Sequence, residues 1–119
     1  MFSYLALKCV KGEEAQQWAE QEAENHRMLG KNEFLVDFLD AFYVKSSYCI
    51  VLPWLDGVSV YEKYCKIKKV PNDSVIMEIA FQVLNALEFM HEKKLAHCDI
   101  KPENLQKMPK SLINLEVFT

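Results

Sequence analysis

The sequence predicts an α+β fold, in which a small antiparallel sheet carries one helix and leads into a second part that is mainly helical. Three observations predict it: strand-forming segments flank a polar turn, two longer segments have apolar residues at helical spacing, and the composition is that of a globular domain. The chain has 119 residues, of which 50% are hydrophobic and 26% are charged, so we expect a modest core rather than disorder.

The first predicted element is a strand at residues 4–10, which are rich in residues that suit a pleated, half-buried surface. Side chains alternate along a strand, so Ala6 and Lys8 share one face. Residues 38–44 and 48–52 predict two further strands, joined by a polar turn into an antiparallel hairpin.

Residues 13–29 predict a helix with one mostly apolar face. The positions on that face recur every three or four residues and are Ala15, Trp18, Ala19, Glu22, His26 and Leu29. A carboxylate within such a stripe is costly unless a cation meets it, so Glu22 requires a basic partner, for which Lys8 is the natural candidate. Glu24 is the alternative acid, but it points about 160° away, towards solvent.

The second part of the chain predicts a longer helix from the start signal Pro71-Asn72-Asp73 through Lys93. Its apolar stripe consists of Ile76, Ile79, Ala80, Val83, Leu84, Leu87 and Met90. We also expect a short helix at residues 60–67 and a linker near Asp56 and Gly57 that separates the two parts.

Charge and cysteine content exclude several function classes. A formal net charge of −3 gives no electrostatic reason to expect nucleic-acid binding. Neither a signal peptide nor an apolar run of about 18 residues is visible, so we expect no membrane insertion and an intracellular location, cytoplasmic or nuclear. The cysteines, Cys9, Cys49, Cys65 and Cys98, form no Cys-x-x-Cys pair, so free thiols are expected rather than disulfides or a zinc site.

The most informative segment is the octapeptide at residues 97–104, His-Cys-Asp-Ile-Lys-Pro-Glu-Asn. It places a carboxylate, an amine and an amide within a few residues, a set that suits phosphoryl transfer because this reaction depends mainly on positioning and charge neutralisation. The segment resembles the catalytic loop of the protein kinase family, which reads His-Arg-Asp-Leu-Lys-Pro-Glu-Asn in serine/threonine kinases. It departs from that wording at Cys98 and, conservatively, at Ile100.

The resemblance extends from about residue 4 to residue 104 and implies roles for the loop residues. Asp99 would orient and deprotonate the substrate hydroxyl, Lys101 would be a counter-charge for the transferring phosphate, and Asn104 would be a magnesium ligand. The implied cofactors are therefore ATP and Mg²⁺.

The same resemblance implies a nucleotide site. In the family a small residue lies over the adenine, a lysine on the same strand binds the phosphates, a helix glutamate holds that lysine, and a hinge segment meets the adenine edge. The matching positions are Ala6, Lys8, Glu22, Leu52, Trp54 and Leu55. Leu52 would stand beside the adenine. For Trp54 and Leu55, simple core packing is an equally good alternative.

The resemblance covers part of a kinase domain. Residues 1–55 correspond to a remnant of the N-lobe with the hinge, and residues 56–119 to the start of the C-lobe with the catalytic loop. Before Lys8 the glycine-rich loop of the family has no counterpart, and residues 117–119, Val-Phe-Thr, stand where the family has Asp-Phe-Gly.

These observations predict a protein serine/threonine kinase that acts on a protein hydroxyl and is truncated here, with activity of the chain alone in doubt. The alternative is a non-catalytic, kinase-derived interaction fragment. The long helix is striped for burial against helices that the chain lacks, so we expect an exposed apolar surface on the C-lobe part, low solubility, and a protein partner that covers this surface. Neither nucleic acid nor a membrane is an expected partner.

Overall fold

The computed structural model describes residues 4–107 and 113–115. Its first part is a three-stranded antiparallel sheet in the order β1-β3-β2. The strands are β1 (Leu5–Lys11), β2 (Asp40–Val44) and β3 (Ser47–Pro53). The central strand β3 is almost completely buried, whereas β1 alternates between exposed and half-buried residues, as expected of an edge strand with one face towards the protein.

Helix α1 (Glu13–Leu29) connects the first two strands and packs on the sheet. It begins after Gly12, which has a φ of 96°, and two glutamates in its first turn favour the positive end of the helix dipole. The buried face consists of Ala19, Ala23, His26 and Leu29. The predicted place of Trp18 on this face is wrong, because 69% of its surface is exposed.

The second part contains a small sheet and one long helix. The sheet has the order β4-β5-β6, formed by β4 (Val58–Ser59), β5 (Leu105–Lys107) and β6 (Ile113–Leu115). Helix α2 (Asp73–Glu92) begins at Asn72, whose side chain accepts a hydrogen bond of 3.0 Å from the backbone N–H of Val75. A five-residue π-helix at Tyr61–Cys65 and a 3₁₀ turn at Pro102–Asn104 complete this part.

Two apolar clusters hold the fold together. The first joins Ala19 and Ala23 of α1 to Tyr48 and Ile50 of β3. The second lies in the α2 part and consists of Leu29, Leu35, Val60, Tyr64, Ala86, Met90, Leu105 and Leu115. Leu29, the last residue of α1, belongs to the second cluster, so the helix on the first sheet is also anchored in the helical part. The predicted α+β class is confirmed.

Leu115 is a core residue that the sequence did not predict. It is fully buried, and its backbone N–H and C=O bond to Phe34 and Val36 in the segment between α1 and β2. The end of the described chain thus closes the junction between the two parts. The segment at residues 117–119, aligned with Asp-Phe-Gly, lies outside the described residues.

The prediction of four free thiols is wrong for two of them. Cys9 on β1 and Cys49 on β3 are directly opposed in the strand register, with Cα atoms 4.1 Å apart, and form a disulfide. Cys65 and Cys98 are free and exposed. Sequence spacing could not reveal the pair, because only the register of the two strands brings these cysteines together.

The outer face of α2 carries an exposed apolar surface, as the sequence predicted. Ile76, Met77, Phe81 and Leu84 are all exposed, while Ala86 and Met90 of the same helix are fully buried. Among the described residues, no helix is both long enough and apolar enough to cross a membrane.

Candidate functional site

A cleft of about 510 Å³ opens between the first sheet and the second part of the chain. Its volume lies within the range of small-molecule sites, roughly 300–1,000 Å³. It is lined by Ala6, Lys8, Val36, Leu52, Pro53, Trp54, Leu55, Gly57, Glu62 and Gln106. Five of the six predicted nucleotide-binding residues therefore border one cavity, with apolar walls and one primary amine.

The sixth, Glu22, reaches the cleft through Lys8. The ammonium of Lys8 donates hydrogen bonds of 2.8 and 2.9 Å to the two carboxylate oxygens of Glu22. The pair forms because β1 presents Lys8 and α1 presents Glu22 across the sheet-helix contact. The predicted contact is thus present, and the Lys8 side chain is held at the cleft wall.

The segment after β3 supplies backbone groups at the cleft. The Trp54 N–H donates a 3.2 Å hydrogen bond to the Tyr4 carbonyl, which continues the pairing of β1 with β3. That donor is therefore engaged, and Leu55 supplies the next backbone N–H along the segment. The core-packing alternative for Trp54 is wrong, because the indole is 56% exposed and lines the cleft.

Residues of the 97–104 segment form a second group, held together by hydrogen bonds. The Asn104 amide donates to the Asp99 carbonyl at 2.8 Å and to the Asp99 carboxylate at 3.1 Å. Lys101 lies 3.5 Å from the same carboxylate oxygen. The structure therefore brings Asp99, Lys101 and Asn104 together. Asp99 remains exposed while Asn104 is buried, so a rigid amide holds an accessible carboxylate.

His97 is a functional candidate that the sequence argument named only as part of the motif. Its ring is buried, and its Nδ1 accepts a 3.1 Å hydrogen bond from the Asp99 backbone N–H. Cys98, between them, adopts a φ of 66°, a left-handed conformation that turns the chain back on itself. His97 thus positions the backbone of the residue that carries the exposed carboxylate.

Sequence reasoning missed three residues that line the cleft: Val36, Glu62 and Gln106. Glu62 follows Ser59 at the spacing of a capping box, and its N–H donates a 3.1 Å bond to the Ser59 hydroxyl. That Ser-x-x-Glu spacing was a usable signal for a helix start. Nothing local, however, indicated that the Glu62 carboxylate borders a cavity.

A metal ion would find oxygen ligands at the loop. The Asn104 amide nitrogen is engaged with Asp99, which leaves its carbonyl oxygen and the Asp99 carboxylate as the hard donors that Mg²⁺ prefers. These two residues fit a magnesium ion that keeps several waters or phosphate oxygens. Within residues 4–107 and 113–115, no group of three or more His, Cys, Asp or Glu side chains is placed to hold a metal.

Behind the Lys8–Glu22 pair, His26 of α1 is buried, and its Nε2–H donates a 2.7 Å bond to the Val36 carbonyl. Burial lowers the pKa of His26, because desolvation of the charged ring outweighs the opposing effects of this hydrogen bond and of the nearby carboxylates. The imidazole is therefore neutral at pH 7 and tethers α1 to the wall of the cleft.

Comparison with known proteins places these residues in a family pattern. The sequence profile described as "Protein kinase domain" matches residues 3–114, which includes both the cleft residues and the Asp99 loop. The match thus covers nearly the whole chain.

Three similar relatives are kinases by name. The chain is 34% identical to dual specificity mitogen-activated protein kinase kinase 1 of Dictyostelium discoideum over 87% of its length, which covers 16% of that relative. It is 32% identical to the mitosis inhibitor protein kinase SWE1 of Candida albicans over 83% of its length and 8% of the relative. It is 33% identical to the serine/threonine-protein kinase TIO of Arabidopsis thaliana over 71% of its length and 6% of the relative. The chain thus spans less than a fifth of each of these proteins.

Proposed function

Because this chain belongs to the protein kinase domain family, we propose that it carries part of the active site of an enzyme that transfers the terminal phosphoryl group of ATP to a serine or threonine hydroxyl of a protein. One observation supports this most strongly: the cleft that collects Ala6, Lys8, Leu52, Trp54 and Leu55 belongs to the same short chain as the bonded Asp99 loop. The first group suits a nucleotide and the second suits a hydroxyl acceptor.

In the proposed binding mode the adenine lies against the Ala6 and Leu52 side chains, which are neighbours on β1 and β3. The Pro53 carbonyl and the Leu55 N–H are the backbone acceptor and donor for its polar edge, since the Trp54 N–H is occupied by Tyr4. Pro53 lacks an N–H, but this position needs only its carbonyl. Pro53 can therefore take part in the hinge contact.

Each charged residue has a separate role in the proposed transfer. Lys8, oriented by Glu22, donates to the phosphate oxygens, and Lys101 offsets negative charge on the transferring group. Asp99 accepts the hydrogen bond and then the proton of the attacking hydroxyl, while Asn104 prevents its carboxylate from rotating away. Asn104 would also hold Mg²⁺ through its amide oxygen, and the bound ion supplies charge neutralisation at the phosphates.

Preference for serine or threonine over tyrosine rests on Lys101, which follows Asp99 by two residues as in serine/threonine kinases. The named relatives include a serine/threonine kinase and a dual specificity kinase. Substrate peptides that differ only in a serine, threonine or tyrosine acceptor would test this part of the proposal separately.

Transfer of labelled phosphate from ATP to a generic protein substrate tests the proposal. Replacing Asp99 by Asn removes the base without changing the shape of the side chain, and should lower transfer by about 10²–10⁴-fold while nucleotide binding persists. Asp73→Asn, at an exposed acid at the start of α2, is the matched control and should transfer at the parental rate. Equal transfer by the Asp99→Asn variant would overturn the proposed role.

A second candidate function is a non-catalytic interaction fragment, and the exposed residues Ile76, Met77, Phe81 and Leu84 on α2 favour it. In that case a protein partner covers this surface, and the chain transfers no phosphate although it binds nucleotide. The same assay separates the two candidates: transfer that depends on Asp99 supports the enzyme, and binding without transfer supports the fragment.

The proposal also covers the division of the chain into lobes, its cellular location and its partners. We assign residues 1–55 to the N-lobe with the hinge and residues 56–119 to the start of the C-lobe. An intracellular location, cytoplasmic or nuclear, follows from the protein substrate and from ATP as the phosphoryl donor. The net charge of −3 supports the absence of a nucleic-acid partner, and we propose no membrane partner.

A further inference from the structure

A second groove lies between α1 and the hairpin formed by β2 and β3, and it shares no lining residue with the nucleotide cleft. Its volume is about 480 Å³, and it is lined by Gln17, Glu20, Gln21, Glu24, Arg27, Tyr43 and Tyr48. We refer to these seven residues as the α1 groove. Every one of them carries a polar or charged group, and none has a role in the proposed phosphoryl transfer.

Tyr48 provides the strongest sign that this groove binds a ligand. Only 8% of its surface is exposed, and its ring is held edge-on against Tyr43, with centroids 4.9 Å apart. Its hydroxyl makes no hydrogen bond to the described residues. Every enclosed side-chain oxygen among those residues has a hydrogen-bond partner, so the Tyr48 hydroxyl is not enclosed. The hydroxyl therefore opens to the groove from a buried ring, and this ring holds it in a fixed place where a ligand can bond to it.

The charges of the groove favour a cation. Arg27 is committed to Glu24, at 2.6 Å, and its guanidinium lies over the Phe38 ring at 5.0 Å. Glu20 makes no ion pair with the described residues, so the groove retains one unneutralised carboxylate. An anionic ligand would have to enter beside Glu20 and Glu24, which opposes its binding.

Two further groups suit a planar donor. Gln21 lines the groove, and because its amide nitrogen donates to Asn25 at 3.0 Å, its carbonyl oxygen is the acceptor that it can offer a ligand. Tyr43 is 58% exposed and offers a ring face on which a delocalised cation can stack. Carboxylate, hydroxyl and amide oxygens next to an exposed ring match a guanidinium, which has five N–H donors in one plane, better than the compact ammonium of lysine.

We propose that the α1 groove binds an arginine side chain of a partner protein, with the guanidinium paired to Glu20, bonded to the Tyr48 hydroxyl and stacked on Tyr43. This function is independent of the proposed phosphoryl transfer, because it uses the opposite polarity and none of the cleft residues. It gives the chain a way to recognise a basic segment through α1, the same helix that holds Lys8.

The experiment titrates the isotopically labelled full chain with the peptide acetyl-Gly-Gly-Arg-Gly-Gly-amide and follows the ring signals of Tyr43 and Tyr48 by NMR. The same peptide with citrulline in place of arginine keeps the shape and removes the charge. The arginine peptide should shift both rings and should bind at least about tenfold more tightly than the citrulline peptide, since only the arginine side chain carries a charge that can pair with Glu20. Equal shifts from the two peptides would overturn the proposal.

Two variants test the assigned residues. Glu20→Gln and Tyr48→Phe should each weaken the arginine peptide by about tenfold, whereas Glu14→Gln, at an exposed acid in the first turn of α1, should leave its affinity unchanged. Tyr48→Phe keeps the buried ring, and an unchanged amide spectrum reports that it is folded. Full affinity in the Glu20→Gln variant would reject the groove as the site.

Two additional probes decide the class of ligand. The corresponding glutamate peptide should cause no shift at either tyrosine, and a shift from it would replace the proposal by anion binding at Arg27. Free arginine should bind more weakly than the arginine peptide, and tighter binding of the free amino acid would point to a small-molecule site instead of a protein partner.

Discussion

Lys8 and Glu22 are separated by 14 residues in the sequence, yet two hydrogen bonds of 2.8 and 2.9 Å join the lysine ammonium to both oxygens of the glutamate carboxylate. The carboxylate is the more buried partner, with 15% of its side chain exposed against 36% for the lysine. The pair therefore fixes the rotation of α1 against β1 and holds one cation at the wall of the cleft.

Replacing Glu22 by Gln should lower the affinity for Mg-ATP by about tenfold, because Lys8 loses the charge-assisted bonds that orient it towards phosphate. The free energy of unfolding should fall by only about 1 kcal/mol, since the lysine side of the pair is partly exposed and solvent screens the interaction. Calorimetric titration and urea unfolding measure the two effects. Glu13→Gln, at an exposed acid of the same helix, is the control. An unchanged affinity for Mg-ATP would mean that Lys8 needs no such orientation.

Much of the fold was predictable because its signals are local. Each of these signals lies within a few residues: the periodicity of α1, the shared face of Ala6 and Lys8 on β1, and the cap at Asn72. The Lys8–Glu22 contact follows from the first two patterns. The octapeptide likewise placed Asp99 and Asn104 in one turn.

The features that were missed depend on tertiary register. Trp18 matches the helical spacing, but α1 packs on the sheet along the line of Ala19 and Ala23, so the indole at the margin of that stripe remains exposed. The Cys9–Cys49 disulfide requires the strand register, and no nearby residue predicts it. Glu62 borders the cleft only because the two parts of the chain come together there.

The Cys9–Cys49 disulfide should contribute measurably to stability. It links residues 40 positions apart, so reduction restores a long loop to the unfolded chain and should cost about 2–4 kcal/mol. Urea unfolding with and without dithiothreitol measures the change. A Cys65→Ser, Cys98→Ser double variant removes only exposed free thiols and should show the same difference as the parent.

A Cys9→Ser variant, at the exposed partner of the disulfide, should be as stable as the reduced parent and should not respond to dithiothreitol. Reducing compartments keep most cysteine pairs reduced. If the protein is intracellular, we therefore expect Cys9 and Cys49 to be free thiols there. Mass spectrometry after rapid alkylation of thiols in cells would measure the fraction oxidised. Indistinguishable unfolding curves in the two redox states would contradict a stabilising role for the bond.

Stability should decrease at acidic pH through His26. Burial lowers the pKa of His26 below the model-compound value of 6.5, so the unfolded chain binds a proton at this position more readily than the folded chain. The contribution is present in full above pH 6.5, declines as the pH falls towards the lowered folded value, and then levels off. Urea unfolding at a series of pH values measures the slope.

His26→Gln keeps a donor for the Val36 carbonyl but does not titrate, so the difference between parent and variant isolates the histidine. Relative to the variant, the parent should lose free energy of unfolding as the pH falls below 6.5. His91→Gln, at an exposed histidine near the end of α2, is the control and should follow the parent. A parent-variant difference that is constant with pH would show that His26 does not titrate separately in the two states.

The exposed apolar face of α2 should limit solubility. Replacing Met77 and Phe81 by Lys places two charges on exposed positions and should increase the fraction of monomer in sedimentation analysis without loss of stability. The control at a buried position of the same helix is Met90→Lys. It introduces a charge where the side chain is fully buried and should prevent folding. If the surface variant aggregates as readily as the parent, association proceeds through another face.

His97 should act by positioning Asp99. Its Nδ1 is the acceptor for the Asp99 N–H, and His97→Phe preserves much of the ring volume while it removes the acceptor of this partly buried hydrogen bond. The free energy of unfolding should fall by about 0.5–1.5 kcal/mol. Phosphate transfer should fall as a change in kcat with the KM for ATP unchanged, because the nucleotide cleft shares no residue with this bond. His91→Phe, at an exposed ring, should alter neither quantity, so a parallel rise of KM in the His97→Phe variant would mean that the loop and the cleft are coupled.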